Sequence, residues 1–163
     1  MIFLRQIWII FHKDVCVEWR TKERLTPMVL YSFIIILLFN FSMDLRIINI
    51  NGIGSGILWS TLVLANLLGL NRSFGNEQEN RAIDALIIAP VDYGAIYLGK
   101  MFAHLLSLLL VALIILPFFN LFFNIPISRN FSPISGLLIL GSLCLSTVGI
   151  LFAATFSNLR LRE

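Results

Sequence analysis

The chain has 163 residues, of which 58% are hydrophobic and 13% charged, with a formal net charge of +3. Soluble domains carry roughly 25% charged residues, and a chain of this length does not bury so much apolar surface in one water-facing core. An ordinary soluble domain is therefore excluded and lipid is the solvent. No run of Lys and Arg with interleaved aromatics points to nucleic acid.

Backbone that crosses lipid must satisfy its own N–H and C=O groups, which leaves helices or a closed barrel. The apolar runs here are continuous rather than alternating, which selects helices. The expected fold class is all-α, a polytopic membrane helix bundle. It comprises about four transmembrane helices, an N-terminal interfacial amphipathic helix and a short cytosolic helix, all in one transmembrane domain over 1–163.

Residues 1–24 read as the basic amphipathic helix. Leu4, Trp8, Phe11, Val15 and Trp19 form a stripe at helical spacing, and the Trp side chains suit the headgroup region. The apolar stretch is broken by Arg5, His12 and Lys13, and no small-residue cleavage site follows, so it does not read as a cleaved signal. Thr26-Pro27 turns the chain inward. The first span covers 27–43, with Asn40 as its strongly polar side chain. Asn49 to Gly56, NINGIGSG, reads as a short turn. The second span covers 53–71 and carries Asn66 and Asn71; Arg72 snorkels from its end.

Gly75 is expected to break the helix. Asn76 with Glu79 resembles a capping box and opens a helix over 76–89, which Pro90 stops. Glu77, Arg81 and Asp84 share one face; Ile83, Leu86 and Ile87 form another. This helix is too short to span. It is either a docking helix or a solvated connector. The third span covers 97–119, with Lys100 near its start and Pro117 near its end. An outer turn follows, and the fourth span covers 134–156. On that last helix Ser135, Ser142, Ser146, Gly149 and Ala153 make a small-residue seam, which lets helices approach closely.

Of the twelve Lys and Arg residues, ten fall in the amino arm, the 72–100 loop and the tail, and two, Arg46 and Arg129, in the opposite loops. The positive-inside rule puts both termini and the 76–89 helix in the cytosol.

There is no G-x-x-x-x-G-K-[ST] loop to hold ATP, no H-E-x-x-H and no evident nucleophile set. Glu77 and Glu79 lie two apart, so a helix points them to different sides and a paired acid–base role is poor. Cys16 and Cys144 form no metal pattern and read as small apolar fillers. No catalytic residue, cofactor-binding residue or metal ligand is expected. His12 and His104 are the pair to weigh for haem ligation; the plainer reading is an interfacial His12 and a packed or hydrogen-bonded His104. Asn40, Asn66, Asn71 and His104 are polar groups at membrane depth, and either bond between helices or line a path.

The segments WRTKERLTPM (19–28), LLGLNRSFGNEQEN (67–80), LIIAPVDYGAIYLGK (86–100) and PFFNLFFNIPI (117–127) resemble the B subunit of the cytochrome c maturation system. That family is also called haem exporter protein B, an ABC-2 type permease, and the similarity covers nearly the whole chain. The resemblance implies a permease that works with a separate ABC ATPase subunit. It also implies partner membrane subunits of cytochrome c maturation and a periplasmic haem chaperone, in the bacterial inner (plasma) membrane. ATP is then bound by the partner, haem is a candidate cargo, and nothing is bound by this chain directly. The 76–89 helix maps to the coupling helix of such permeases. Contacts to the ATPase are expected from Glu77, Glu79, Arg81, Ile83, Asp84, Leu86, Ile87 and Pro90. The family pattern has about six spans where four are read here, so a last hairpin is expected to be missing. A non-transporting scaffold for haem-handling subunits is the alternative, and a small haem protein ligated by His12 and His104 is a third reading.

Overall fold

The computed structural model describes residues 2–42, 50–79, 92–123 and 131–160. They form five helices: α1 (Ile2–Thr21), α2 (Leu25–Ser42), α3 (Ile50–Glu79), α4 (Tyr93–Phe123) and α5 (Phe131–Arg160). Among the described residues there is no strand. Four stretches are long and apolar enough to cross a membrane: Leu25–Ser42, Ile53–Ser73, Tyr93–Phe123 and Pro133–Ala153. The protein is thus a multi-pass, all-α membrane protein.

The four spans lie close to where the apolar runs place them, but α3, α4 and α5 each overrun their expected bounds at both ends, α3 furthest, ending at Glu79 rather than residue 71. The NINGIGSG stretch is not a turn from Ile50 onward; it forms the first turns of α3. Gly75 does not break the helix either, since α3 continues through it to Glu79, and Asn76 lies inside a helix rather than capping a new one. Glycine weakens a helix by about 1 kcal/mol relative to alanine. Within the span that cost does not decide the outcome, because the helix is held by tertiary packing and its backbone has no other way to satisfy its polar groups near lipid. Pro117 sits within α4, which runs on to Phe123. A proline inside a helix forfeits one backbone hydrogen bond, and packed neighbours make that tolerable in a span.

Helix α4 is the hub. It packs on α1, α2, α3 and α5. Its buried face runs from Ala95 through Gly99, Ala103, Ser107, Val111 and Ile115 to Phe119 and Phe123. Met28 and Ile36 of α2, Leu62 and Ala65 of α3 and Leu138 of α5 complete the main core with Leu108, Val111 and Ile115 of α4. Phe33 of α2 meets Phe118 and Phe122 edge to face, with ring centroids 5.4 and 6.0 Å apart. The small-residue seam of α5 is filled by α3. Ser142 and Ser146 are buried, and a Cβ on Gly149 would stand 2.5 Å from Leu70 Cδ1. Leu137, Leu140, Leu151 and Phe152 face outward, as lipid contact requires.

Helix α1 joins the bundle chiefly through a face beside its aromatic stripe, of which Phe11 and Val15 are half-buried. Leu4, Trp8 and Trp19 are exposed, whereas Ile10 and Glu18 are buried. Ile10 sits on Gly99 of α4, where even a Cβ would come within 2.8 Å of Ile10 Cβ.

Candidate functional site

Two polar clusters interrupt this apolar bundle, and each ties several helices together. The first lies at the elbow between α1 and α2. Lys22 takes the left-handed conformation, φ 54°, and its N–H donates to Glu18 O at 2.8 Å. This closes α1 with a left-handed cap. The chain then folds back so that the Glu18 carboxylate meets the start of α2. Its Oε1 accepts the N–H groups of Leu25 at 2.8 Å and Arg24 at 3.2 Å, two donors that the first turn of a helix leaves without an intrahelical partner. Its Oε2 lies 3.1 Å from Arg24 Nε, an ion pair rather than an aligned hydrogen bond. Both side chains are almost fully enclosed, at 8% exposure for Arg24 and 11% for Glu18. Arg24 Nη1 reaches on to Ser73 Oγ of α3 at 3.5 Å. One pair thus links α1, α2 and the end of the second span.

The second cluster lies within the bundle. His104 of α4 and Asn66 of α3 meet at 2.7 Å, with His104 Nε2–H donating to Asn66 Oδ1. Asn66 Nδ2 in turn donates to the Leu145 carbonyl of α5 at 3.5 Å. Gly149 leaves that carbonyl open: a Cβ there would lie 3.2 Å from Asn66 Nδ2. His104 and Asn66 are both buried. With Nε2 as the donor, His104 Nδ1 is an acceptor, and it is buried without a hydrogen-bond partner among the described residues. Nearby, the Tyr97 hydroxyl donates to Thr147 O of α5 at 3.0 Å.

The candidate residues are therefore dispersed. Asn66 and His104 share one site. Asn40 is elsewhere, donating to Phe122 O at 3.1 Å, a carbonyl in the last turn of α4 that has no intrahelical partner. Asn71 is exposed on α3. His12 is exposed on α1 beside Cys16, whose Sγ lies 3.6 Å from His12 Nδ1, while His104 faces Asn66; the structure does not bring the two histidines into one ligand pair. Cys16 and Cys144 are both free and exposed, so neither is a buried filler. Among the described residues no three His, Cys, Asp or Glu side chains cluster as a metal site. Glu77 and Glu79 fall in the last turn of α3. Arg81, Ile83, Asp84, Leu86, Ile87 and Pro90 lie outside the described residues. Sequence spacing does not point to the Glu18–Arg24 pair.

The model of the CcmB protein family matches residues 5–163. The chain belongs to the CcmB protein family. It is 28% identical over 97 residues to Heme exporter protein B of Escherichia coli K12, covering 60% of this chain and 44% of that one. It is 32% identical over 108 residues to Heme exporter protein B of Rhodobacter capsulatus, covering 66% and 49%. The protein of that name from Pseudomonas aeruginosa PAO1 is 27% identical over 141 residues, 86% of this chain and 62% of that one. The chain thus spans about half the length of the curated relatives it matches. No solved structure matches it.

In this CcmB family member the buried Asn66–His104 bond is the clearest interhelical contact to test. Interhelical hydrogen bonds in membranes contribute about 0.6–2 kcal/mol. Asn66→Leu and His104→Leu are each expected to lower stability in mild detergent by about 1–2 kcal/mol. The double variant should cost less than the sum, because each single change strands the other partner. Strict additivity in the unfolding free energies would mean that the two side chains are not coupled.

Proposed function

We propose that the chain acts as membrane permease of an ABC-type transporter in cytochrome c maturation, located in the bacterial inner membrane. ATP is hydrolysed on a separate subunit, and the work serves haem delivery to a periplasmic haem chaperone together with other membrane subunits of the pathway. The observation that carries this reading is the CcmB family match over residues 5–163, with relatives named Heme exporter protein B. The excess of Lys and Arg in the arm, the 72–100 loop and the tail supports an orientation with both termini in the cytosol.

The continuity of α3 supports a mechanical role for the cytosolic loop. One helix runs from Asn66, in the buried polar cluster, past Ser73, which Arg24 reaches, to Glu79. At about 1.5 Å per residue this is a rod of roughly 20 Å. Segment 76–89 begins on it. A displacement of Glu77 and Glu79 by a partner is therefore carried along a rigid helix to the Asn66–His104 contact and the elbow, where packed helices shift between discrete arrangements. Arg81 and Asp84 extend the polar contacts of the segment, and Ile83, Leu86 and Ile87 seat it.

Co-purification with the ATPase encoded beside this chain tests the proposal. Glu79→Lys is expected to reduce ATPase recovery about tenfold while membrane insertion stays intact. Unchanged recovery rejects Glu79 as a contact. Function that persists with a hydrolysis-dead ATPase rejects coupling and leaves a scaffold.

A further inference from the structure

An apolar groove of about 780 Å³ runs between α1 and α4. Its α1 wall includes Trp8 and Phe11, its α4 wall Phe102, Leu106 and Leu109, and Arg5 is its one charged lining residue. We propose that this groove holds one acyl chain of an anionic phospholipid, with the headgroup phosphate on Arg5.

The position of Arg5 along the bundle carries the assignment. Phe3 lies against the start of α4: its ring would be 3.7 Å from a Cβ on Gly94. Arg5 is therefore at the level where α4 enters the membrane. The α4 wall of the groove, Phe102 to Leu109, rises about 10 Å, which fits within one leaflet with its headgroups, about 20 Å. The groove thus runs from the level of Arg5 into one leaflet along α4. Below Arg5 and Trp8 its lining side chains are all apolar and would not hold water, and an empty groove would forfeit dispersion contacts that a chain restores. At the upper end Arg5 is exposed and has no carboxylate in ion-pair reach among the described residues. A guanidinium there matches a phosphodiester in charge and in its two-pronged donor geometry. The adjacent Trp8, exposed on the same helix, suits the headgroup boundary. A smaller groove at the elbow repeats the pattern, with Trp19 and Lys22 beside the apolar Leu25 and Val29.

Native mass spectrometry of the 163-residue chain, released from nanodiscs of equal phosphatidylglycerol and phosphatidylcholine, tests the site. The unaltered chain is expected to retain phosphatidylglycerol about fivefold over phosphatidylcholine, the preference that one basic residue near an anionic surface supplies. Arg5→Gln, at an exposed position, should bring the ratio near one. Leu106→Trp fills the groove and should lose both lipids. An unchanged ratio in Arg5→Gln, undiminished retention in Leu106→Trp, or a lipid-free chain recovered as a dimer would each overturn the assignment.

Discussion

Glu18→Ala is expected to destabilise the protein by about 4 kcal/mol, the cost of breaking a buried ion pair. Three losses coincide. Arg24 keeps its charge in an enclosed position and loses the carboxylate that neutralises it. The N–H groups of Arg24 and Leu25 lose the acceptor that capped them. The link from α1 to the start of α2 then rests on backbone bonds, Lys22 N–H to Glu18 O at 2.8 Å and Thr26 N–H to Lys22 O at 3.1 Å. Glu18→Gln should recover roughly half of the loss, because an amide oxygen still accepts from Leu25 N while giving up the charge. Lys13→Ala is the control. Lys13 pairs with Asp14 at 3.0 Å but is half exposed, and such pairs contribute at most about 1 kcal/mol. Reversible unfolding in mixed micelles reads all three variants. Equal shifts for Glu18→Ala and Lys13→Ala would show that the elbow pair is not enclosed.

That elbow is also where the sequence is least legible. Glu18 and Arg24 stand in a run of charges on an amphipathic helix, and such residues ordinarily face water. Nothing in their spacing shows that Lys22 turns the chain through the left-handed region and brings the two together. The spans were readable because continuous apolar runs have one solution in lipid. Asn66 and His104 were readable as polar groups at membrane depth, but which helices they join depends on packing that periodicity does not encode. The overrun of α3 is hidden in the sequence for a related reason. Gly54 and Gly56 carry turn signals in water, where a broken helix is solvated, and those signals lose weight where the adjoining turn is packed, as it is at Ile57. The small-residue seam on α5 was visible as a stripe; that α3 fills it, with Gly149 opening the Leu145 carbonyl to Asn66, needed the three-dimensional arrangement.

Gly99→Leu should separate α1 from the bundle. A Cβ at this position would fall 2.8 Å from both Ile10 Cβ and Ile10 Cγ2, and 3.2 Å from the Ile7 carbonyl oxygen. A flexible side-chain tip would swing aside, but a carbonyl oxygen and a Cβ move only with their helix. Overpacking a fitted contact costs about 1–3 kcal/mol, and a leucine here, with three further carbons against α1, belongs at the upper end. Gly99→Ala should lie between leucine and the native residue, so the series is graded by volume. The loss is local in origin. The cores formed by α2, α3, α4 and α5 do not include α1, so the expected signature is early protease cleavage near the 22–24 elbow ahead of global unfolding. Because α1 and α4 form the two walls of the Arg5 groove, lipid retention should fall with it for phosphatidylglycerol and phosphatidylcholine alike, unlike the selective loss in Arg5→Gln. If Gly99→Leu keeps both the native unfolding midpoint and the protected elbow, α1 does not pack on α4 through this glycine, and the groove has no second wall.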